Sequence, residues 1–223
     1  MNAFVVIPAY NEGVAVGDVV RKVIGRYPNV VVVNDGSADD TGETARQAGA
    51  TVLTHLINRG QGAALKTGID HALARGAEAV VTFDSDGQHM VEDIDLLLQT
   101  LHDRQVDVVL GSRFLRKDNQ VPFLRRITLR LGVLFTRMIS QIRVTDTHNG
   151  LRALSREAAS KIQIRQDRMA HASEILDEIG RLKLRYCEVP VRVVYSEYSQ
   201  QKGQRSSAAF RIVADFLIGK WEK

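Results

Sequence analysis

The stretch from Ala79 to Met90 reads AVVTFDSDGQHM, an apolar run that ends in two carboxylates one residue apart. The run AVVTF is β-branched and of strand length, so it predicts a buried strand. Asp84 and Asp86 follow it, and Gly87 permits a turn that would aim both carboxylates at one point. Like charges held this close repel each other, and a cation between them would remove the repulsion.

The carboxylate pair therefore predicts a site for Mg²⁺ or Mn²⁺, because these hard cations take oxygen ligands and share them with water and substrate phosphates. Gln88 and His89 are placed to add a ligand or a hydrogen bond to a ligand. The alternative is a solvated turn between a strand and a helix, with Asp86 as the helix cap. The spacing alone does not choose between a metal site and a cap.

Short apolar runs and helical patterns alternate along the first half of the chain. The segments VGDVVRKVIGRY and ALKTGIDHALARG repeat apolar residues every three or four positions. This alternation predicts right-handed crossovers, a mostly parallel central sheet and helices on both faces, which is the α/β class. The predicted strands are Ala3–Ile7, Val30–Val33, Thr51–Thr54, Ala79–Phe83 and Val106–Leu110, followed by a helix over Ala172–Leu182 and a strand over Val189–Val194.

Polar and glycine-rich residues follow every predicted strand of the first half. In parallel sheets ligands bind at the carboxyl ends of the strands, so these residues predict a site. Asp35 and Glu12 could accept hydrogen bonds from a nucleoside, although an acid near a helix start can also cap the helix. Gly60 and Gly62 open a helix, where backbone N–H groups can approach a ligand closely. The wall beside Glu12 would consist of Pro8, Ala9 and Tyr10.

Composition limits the class of protein. The chain has 223 residues, enough for one domain with a full core, and its apolar and charged fractions of 44% and 25% are ordinary for a globular protein. The single cysteine, Cys187, excludes a disulfide framework and favours a reducing, cytoplasmic compartment. The first residues, MNAFVVIPAYNE, look like a strand and not a signal peptide, and no apolar run is long enough to predict a transmembrane helix.

Positive charge is concentrated in one part of the chain. Between Arg113 and Arg143 there are eight Lys or Arg residues and one acid, Asp118, although the net charge of the chain is only +4. This asymmetry predicts an anionic partner. Nucleic acid is not the expected partner, because no stacking aromatic residues lie among the basic ones.

Six segments of the sequence occur in a fixed order: IPAYNE, VNDGSADDT, NRGQGAALKTG, DSDGQH, GSR and DTHNGLRALS. Together they resemble the inverting family-2 glycosyltransferases with the GT-A fold, and within them the dolichol-phosphate and polyprenyl-phosphate sugar synthases. The resemblance covers nearly the whole chain, and the ordered set is far more specific than any one motif. It implies a single GT-A domain over residues 1–223, with a nucleotide-sugar half over 1–112 and an acceptor half over 113–223.

The resemblance also implies roles for individual residues. Its DxDxQ motif would bind the metal ion and the diphosphate through Asp84, Asp86 and Gln88, and its GSR arginine, Arg113, would meet an acceptor phosphate. Many members have Lys where this chain has Gln61. The predicted nucleotide-sugar site as a whole comprises Pro8, Ala9, Tyr10, Glu12, Asp35, Gly60, Gly62, Asp84, Ser85 and Asp86.

The implied reaction moves a sugar from a nucleoside diphosphate sugar, of the UDP-glucose or GDP-mannose type, to an acceptor. A polyprenyl or dolichyl monophosphate is already an oxyanion at neutral pH, so it needs no strong general base. A saccharide hydroxyl would need a carboxylate base, for which Asp146 and Glu174 are the candidates. The residues that could converge on an acceptor phosphate are Arg113, Arg125, Arg126, Lys202 and Arg205.

Two amphipathic patterns could attach the protein to a membrane. One is basic and runs from about Pro122 to Ile142, and the other places Phe210, Leu217 and Trp221 on one face near the C-terminus. Each could lie on an anionic membrane surface or pack on its own domain. Some relatives end in transmembrane helices, whereas this sequence predicts none. We therefore expect either peripheral attachment at the inner face of the membrane or a membrane-embedded partner protein.

Two other classes of function remain open. A sugar-nucleotide-forming nucleotidyltransferase would share the sheet and the metal, but it should begin with a glycine-rich loop where this chain has PAYNE. A non-catalytic module could retain the nucleotide pocket without turnover, although an intact DSDGQH argues against it. The sequence assigns no role to His55, His71 or His102, because none has a partner at the spacing of metal ligands.

Overall fold

The computed structural model describes residues 1–116, 133, 142–168 and 170–194, which form one sheet flanked by helices. The strands are β1 (Ala3–Ala9), β2 (Val30–Asn34), β3 (Thr51–Thr54), β4 (Ala79–Thr82), β5 (Val108–Ser112), β6 (Arg152–Ser155) and β7 (Tyr186–Pro190). The α-helices are α1 (Val16–Ile24), α2 (Thr41–Gln47), α3 (Gln61–Ala74), α4 (Glu92–Asp103), α5 (Arg156–Lys161) and α6 (His171–Arg181), and a short 3₁₀ helix spans Arg113–Leu115.

The sheet has the order β3-β2-β1-β4-β6-β5-β7, and its neighbouring strands are parallel except where β6 takes part. The predicted α/β class with a mostly parallel sheet is therefore confirmed. β6 runs antiparallel to β4 and β5, and Arg152 pairs with Thr82 on one side and with Leu110 on the other. The amino end of β6 thus lies beside the carboxyl ends of its neighbours, where ligands bind in such sheets.

Side chains of β1 alternate between two hydrophobic cores, one on each face of the sheet. Val5 and Ile7 belong to the core that contains apolar residues of α1, α2 and α4. Phe4 and Val6 belong to the core that contains apolar residues of α3, α5 and α6. Helices therefore cover both faces of the sheet, as the sequence predicts.

Helix α3 packs closely against β1 at Gly68. A Cβ atom added to Gly68 would lie 2.3 Å from Cγ1 of Val6 and 3.1 Å from Cγ2 of Val33. Real side chains do not approach this closely, so the absence of a side chain sets the distance between α3 and the sheet. The amino end of α3, which reaches the candidate site, is positioned by this contact.

The second half of the sheet differs from the prediction. The sequence pattern does not predict β6, because RALS is short and mixes polar with apolar residues. β7 spans Tyr186–Pro190 and not Val189–Val194, because it pairs along β5 from Val108 to Ser112. The β7 strand ends at Pro190, and Val193 forms an isolated bridge with His89.

The two predicted amphipathic segments lie outside the described residues, apart from Val133 and Ile142. Among the helices that the structure does describe, none combines the length and the apolar character needed to cross a membrane.

Replacing Gly68 with Ala should lower the free energy of unfolding by about 1–2 kcal/mol, because the added methyl group overpacks the contact with Val6 and outweighs the gain in helix propensity. Gly25→Ala is the matched control, since Gly25 has an ordinary φ of −63° and its nearest neighbour would be 3.5 Å away. Urea unfolding measures both variants. Equal stability of Gly68→Ala and the wild type would mean that α3 can move away from β1 at little cost.

Candidate active site

Asp84 and Asp86 lie directly beyond β4, the central strand of the sheet. The Asp84 side chain is 27% exposed, and its Oδ2 accepts a hydrogen bond from Nε2 of His89 at 3.0 Å. Its Oδ1 accepts from Nε2 of Gln61 at 3.1 Å. Oδ1 of Asp86 accepts from the backbone N–H of Gln88 at 3.0 Å. Both carboxylates are therefore held beyond the carboxyl end of β4, the edge at which ligands bind in sheets of this kind.

The two carboxylates have opposite pKa shifts. Burial raises the pKa of Asp86 to about 6, with a further contribution from the charge of Asp84 and a smaller one from Glu12. Burial also raises the pKa of Asp84, but the hydrogen bond with His89 and the positive charge of Arg152 outweigh it, so its pKa lies below the usual range. The repulsion between the two carboxylates is the condition that a divalent cation would relieve.

The residues present fit a cation that is only partly coordinated by protein. Within the described ranges, no group of three or more His, Cys, Asp or Glu side chains could hold a metal ion. Mg²⁺ and Mn²⁺ commonly take one or two carboxylates and complete their coordination with water and substrate phosphates. Asp84 and Asp86 could supply those carboxylates, and the hydrogen bond from His89 would orient Asp84. Gln88, the third predicted ligand, lies on the same turn.

Gly150, which the sequence does not single out as a site residue, lies against the Asp84 carboxylate. A Cβ atom added to Gly150 would lie 2.2 Å from Oδ2 and 2.4 Å from Oδ1 of Asp84. The carbonyl of Gly150 accepts a hydrogen bond from Oγ1 of Thr82 at 2.6 Å, which fixes the loop before β6 against the end of β4. The position of the carboxylate therefore requires a residue without a side chain at 150.

Asp35 is buried and holds a loop together. Its Oδ1 accepts hydrogen bonds from Nδ1 of His55 at 2.7 Å and from the backbone N–H of Arg59 at 2.9 Å. Its Oδ2 accepts from the backbone N–H of Gly60 at 2.6 Å. The predicted nucleoside-binding carboxylate thus already fixes the turn into α3. His55, to which the sequence assigns no role, is its partner and also contacts Oγ1 of Thr67 at 3.0 Å.

Gly60 and Gly62 pack closely against another segment of the protein on the side where a side chain would lie. An added Cβ would lie 2.4 Å from the carbonyl oxygen of Asp167 at Gly60, and 2.0 Å from that of Gln166 at Gly62. Both glycines are needed because the segment 166–168 crosses the start of α3. Glu174 holds that segment, since its Oε2 accepts from the backbone N–H of Gln166 at 2.8 Å.

The residues at the end of β1 and just beyond it differ in their exposure to solvent. Pro8 and Ala9 are buried within the strand, whereas Tyr10 is exposed just beyond it. Glu12 is largely buried, and its charge acts on Asp86, so its carboxylate lies near the turn that carries the two aspartates. Ser85, between the two aspartates, is buried as well.

Arg113 and Asp146, both predicted as catalytic, form a buried ion pair. Nε of Arg113 donates to Oδ2 of Asp146 at 2.6 Å, and the backbone N–H of Arg113 donates to the same oxygen at 3.1 Å. Nη2 of Arg113 donates to the carbonyl of His148 at 3.0 Å. The Asp146 side chain is 0% exposed. The other predicted phosphate-binding residues, Arg125, Arg126, Lys202 and Arg205, lie outside the described residues.

Arg152 and His171 extend this charged cluster, and sequence reasoning misses both. The charges of Asp84 and Asp146 both act on Arg152, but burial outweighs them and lowers its pKa to about 10. His171 donates from Nδ1 to the carbonyl of Arg168 at 2.7 Å, and burial with the charge of Arg152 lowers its pKa to about 4. Arg152 shares the core-facing side of β6 with Leu154, where a charge is costly, but the sequence pattern does not predict this strand.

Gly150→Ala should weaken the binding of Mn²⁺ by about 10- to 100-fold, since the added methyl group must displace the Asp84 carboxylate from its hydrogen bonds. Titration of the protein against Mn²⁺, with free Mn²⁺ followed by electron paramagnetic resonance, measures this affinity. Gly25→Ala serves as the control far from the site. An unchanged affinity would show that Asp84 is not a ligand.

His171 should make the protein less stable in mild acid. Its pKa is about 4 in the folded protein and 6.5 in an unfolded chain, so the unfolded state binds the proton first as the pH falls. The free energy of unfolding should fall by about 2 kcal/mol from this residue between pH 7 and pH 5. His171→Asn keeps a donor for the Arg168 carbonyl but does not titrate, so urea unfolding should give it a smaller loss. The same loss in both proteins would contradict the assignment.

Comparisons with known sequences identify the family to which the chain belongs. The model described as glycosyl transferase family 2 matches residues 4–163. An uncharacterized protein of Methanocaldococcus jannaschii is 37% identical, over 97% of this chain and 91% of its own length. A UDP-N-acetylglucosamine–dolichyl-phosphate N-acetylglucosaminyltransferase of Methanococcus voltae is 32% identical, over 99% and 96%. An undecaprenyl-phosphate mannosyltransferase of Micrococcus luteus is 28% identical, over 100% and 97%.

Solved structures with a similar fold include that of glucosyl-3-phosphoglycerate synthase from Mycobacterium tuberculosis, with a TM-score of 0.69 and 21% identity over 95% of this chain and 79% of that one. The same enzyme in complex with Mn²⁺, uridine diphosphate and phosphoglyceric acid gives a TM-score of 0.70 at 20% identity, over 95% and 77%. These neighbours have the GT-A fold, and the match to the family model covers most of the chain. The chain therefore belongs to glycosyl transferase family 2 and is a glycosyltransferase.

Proposed function

We propose that the protein transfers a sugar from a nucleoside diphosphate sugar to a polyprenyl or dolichyl monophosphate, with a divalent cation at Asp84 and Asp86. Two relatives support this acceptor, because their names specify dolichyl phosphate and undecaprenyl phosphate and each matches this chain over nearly its whole length. The names differ in the sugar, which is N-acetylglucosamine in one and mannose in the other. The proposal therefore specifies the acceptor class and leaves the sugar to experiment.

The observation that carries the proposal is the burial of both candidate bases. Asp146 is enclosed in its ion pair with Arg113, and Glu174 is 2% exposed and bonded to the backbone of 165–166. A saccharide hydroxyl would have to lose its proton to such a base. A phosphate monoester arrives already ionised, because its second pKa is near about 6. The described residues therefore favour a phosphate acceptor over a hydroxyl.

In the proposed reaction an oxygen of the acceptor phosphate attacks the anomeric carbon of the sugar. The bond from that carbon to the donor diphosphate breaks, and the nucleoside diphosphate leaves with the bonding electrons. A divalent cation would supply positive charge to the leaving diphosphate. Gln61, His89 and Gly150 would keep the Asp84 carboxylate in place, so that no reorganisation is needed during the transfer.

The donor would lie across the carboxyl ends of β1, β2 and β4, with Tyr10 and Glu12 beside the nucleoside. In this arrangement residues 1–112 would form the nucleotide-sugar half of the chain, and the acceptor half would begin with the Arg113–Asp146 pair. The acceptor is a membrane lipid, so the protein would work at the membrane surface, and nucleotide sugars place that surface on the cytoplasmic side. Peripheral attachment or a membrane-embedded partner would bring it there.

The first experiment measures release of nucleoside diphosphate from UDP-N-acetylglucosamine, UDP-glucose and GDP-mannose, with Mg²⁺ or Mn²⁺, in the presence and absence of a short-chain polyprenyl phosphate. We expect release from one donor that requires both the metal and the lipid. Asp86→Asn should lower that rate by about 100-fold or more, because it removes a charged ligand. Asp70→Asn, on the exposed side of α3, is the matched control and should retain full activity.

Transfer to a saccharide without the lipid phosphate would contradict the proposed acceptor and require a base other than Asp146 or Glu174. Retention of activity by Asp86→Asn would contradict the metal site. Binding of a donor without transfer to any acceptor would favour a nucleotide-sugar-binding module instead.

A further inference from the structure

Arg152 is a buried cation with no partner in the described part of the chain. It is 3% exposed, yet its guanidinium makes no hydrogen bond or ion pair with any residue that the structure describes. A buried charge in this state is costly, and such groups are normally paired. The free N–H groups of Arg152 therefore need an explanation that packing does not provide.

The guanidinium of Arg152 borders the candidate site. Among the described residues, the fully inaccessible polar side-chain atoms that lack a partner are Nδ1 of His89 and Nδ2 of Asn149. The nitrogens of Arg152 are not among them, although the residue as a whole is only 3% exposed. The backbone of Arg152 pairs with Thr82 at the end of β4, two residues before Asp84. The guanidinium thus borders the space beside the predicted metal-binding carboxylates.

The carboxylates near Arg152 are already hydrogen-bonded to other residues and do not pair with its guanidinium. Asp146 already accepts from Arg113 at 2.6 Å, and Asp84 accepts from His89 and Gln61. Both carboxylates act on Arg152 through space, but neither forms an ion pair with it. His171 donates Nδ1–H to a backbone carbonyl. Of the two buried arginines beside the site, Arg113 is thus engaged with protein and Arg152 has donors available.

We propose that Arg152 binds a phosphate group of a substrate, through the N–H groups that have no partner in the protein. A guanidinium matches two phosphate oxygens with two parallel hydrogen bonds, and burial strengthens such charge-assisted bonds. The inference rests on the proposed function, because a reaction between a diphosphate donor and a phosphate acceptor brings two phosphate groups to this edge of the sheet. Either the donor diphosphate or the acceptor monophosphate could be the ligand.

The test compares Arg152→Gln and Arg152→Lys with the wild type in three titrations of the full chain. The probes are Mn²⁺ alone, uridine diphosphate and guanosine diphosphate each with Mn²⁺, and a short-chain polyprenyl phosphate in detergent. Arg152→Gln should weaken binding of one phosphate ligand by roughly 10- to 100-fold while Mn²⁺ binding is unchanged. Arg152→Lys should recover part of that loss, because it keeps the charge but not the paired donors.

The control is Arg185→Gln. Arg185 is 67% exposed and pairs with Asp107 at 2.9 Å before β5, at the opposite end of the sheet. It should leave all three affinities unchanged. Thermal unfolding of each variant, with and without ligand, separates a loss of fold from a loss of binding.

The two sources of phosphate give different outcomes. Weaker nucleoside diphosphate binding assigns Arg152 to the donor diphosphate, and weaker lipid-phosphate binding alone assigns it to the acceptor. Affinities for both ligands within twofold of the wild type would overturn the proposal. The proposal would also be overturned if Arg152→Gln lost both Mn²⁺ binding and thermal stability and Arg152→Lys fully restored them. In that case Arg152 would serve as a structural counter-charge for Asp84.

Failure of the proposed function gives a different result. If the wild type binds a nucleoside diphosphate but never transfers a sugar to a lipid phosphate, the proposed acceptor is wrong, and the diphosphate titration alone decides the role of Arg152. A wild type that binds neither phosphate ligand would overturn both proposals.

Discussion

The position of the Asp84 carboxylate depends on three separate parts of the chain. His89 and Gln61 donate to its two oxygens, while Gly150 leaves room for them. Gln61 begins α3, whose distance from the sheet is set by Gly68, and Gly150 precedes β6, which inserts antiparallel between β4 and β5. Burial disfavours the charged form of Asp84, and displacing any of these elements would also weaken the contacts that hold its carboxylate in place. The fold is therefore most constrained at the point where its chemistry is centred.

The sequence predicts the parallel half of this arrangement well. Continuous β-branched runs and helical repeats locate β1 to β4 within one or two residues at each end, and the rule that ligands bind beyond strand ends brings Glu12, Asp84 and Asp86 together. These signals are local in the chain. The antiparallel strand is harder to predict, because β6 is four residues long and its partners are distant in sequence. Without it, neither Gly150 nor Arg152 can be assigned to the site.

Side-chain partners are also beyond the reach of sequence reasoning. Asp35 has the sequence context of a nucleoside-binding acid, yet its carboxylate holds His55 and the start of α3. Gly60 and Gly62 look like an open ligand-binding turn, yet the segment 166–168 fills the space beside them. In both cases the competing partner comes from another part of the chain. A polar residue beyond a strand predicts where a site is built, but the contacts decide whether it faces a ligand or supports its neighbours.

The balance of charge connects the fold to the choice of acceptor. The described site contains the carboxylates of Glu12, Asp84 and Asp86, while the Arg113–Asp146 pair is neutral as a unit. In the proposed reaction a phosphate acceptor would add negative charge to a site that would also receive a diphosphate, so positive charge beyond that of one divalent cation would be required. Arg152 is a buried source of that charge within the described residues. A hydroxyl acceptor would not need this extra cation, but it would need an accessible base, and Asp146 and Glu174 are both buried. The same arrangement that makes a hydroxyl nucleophile difficult to activate thus makes a phosphate nucleophile easier to bind.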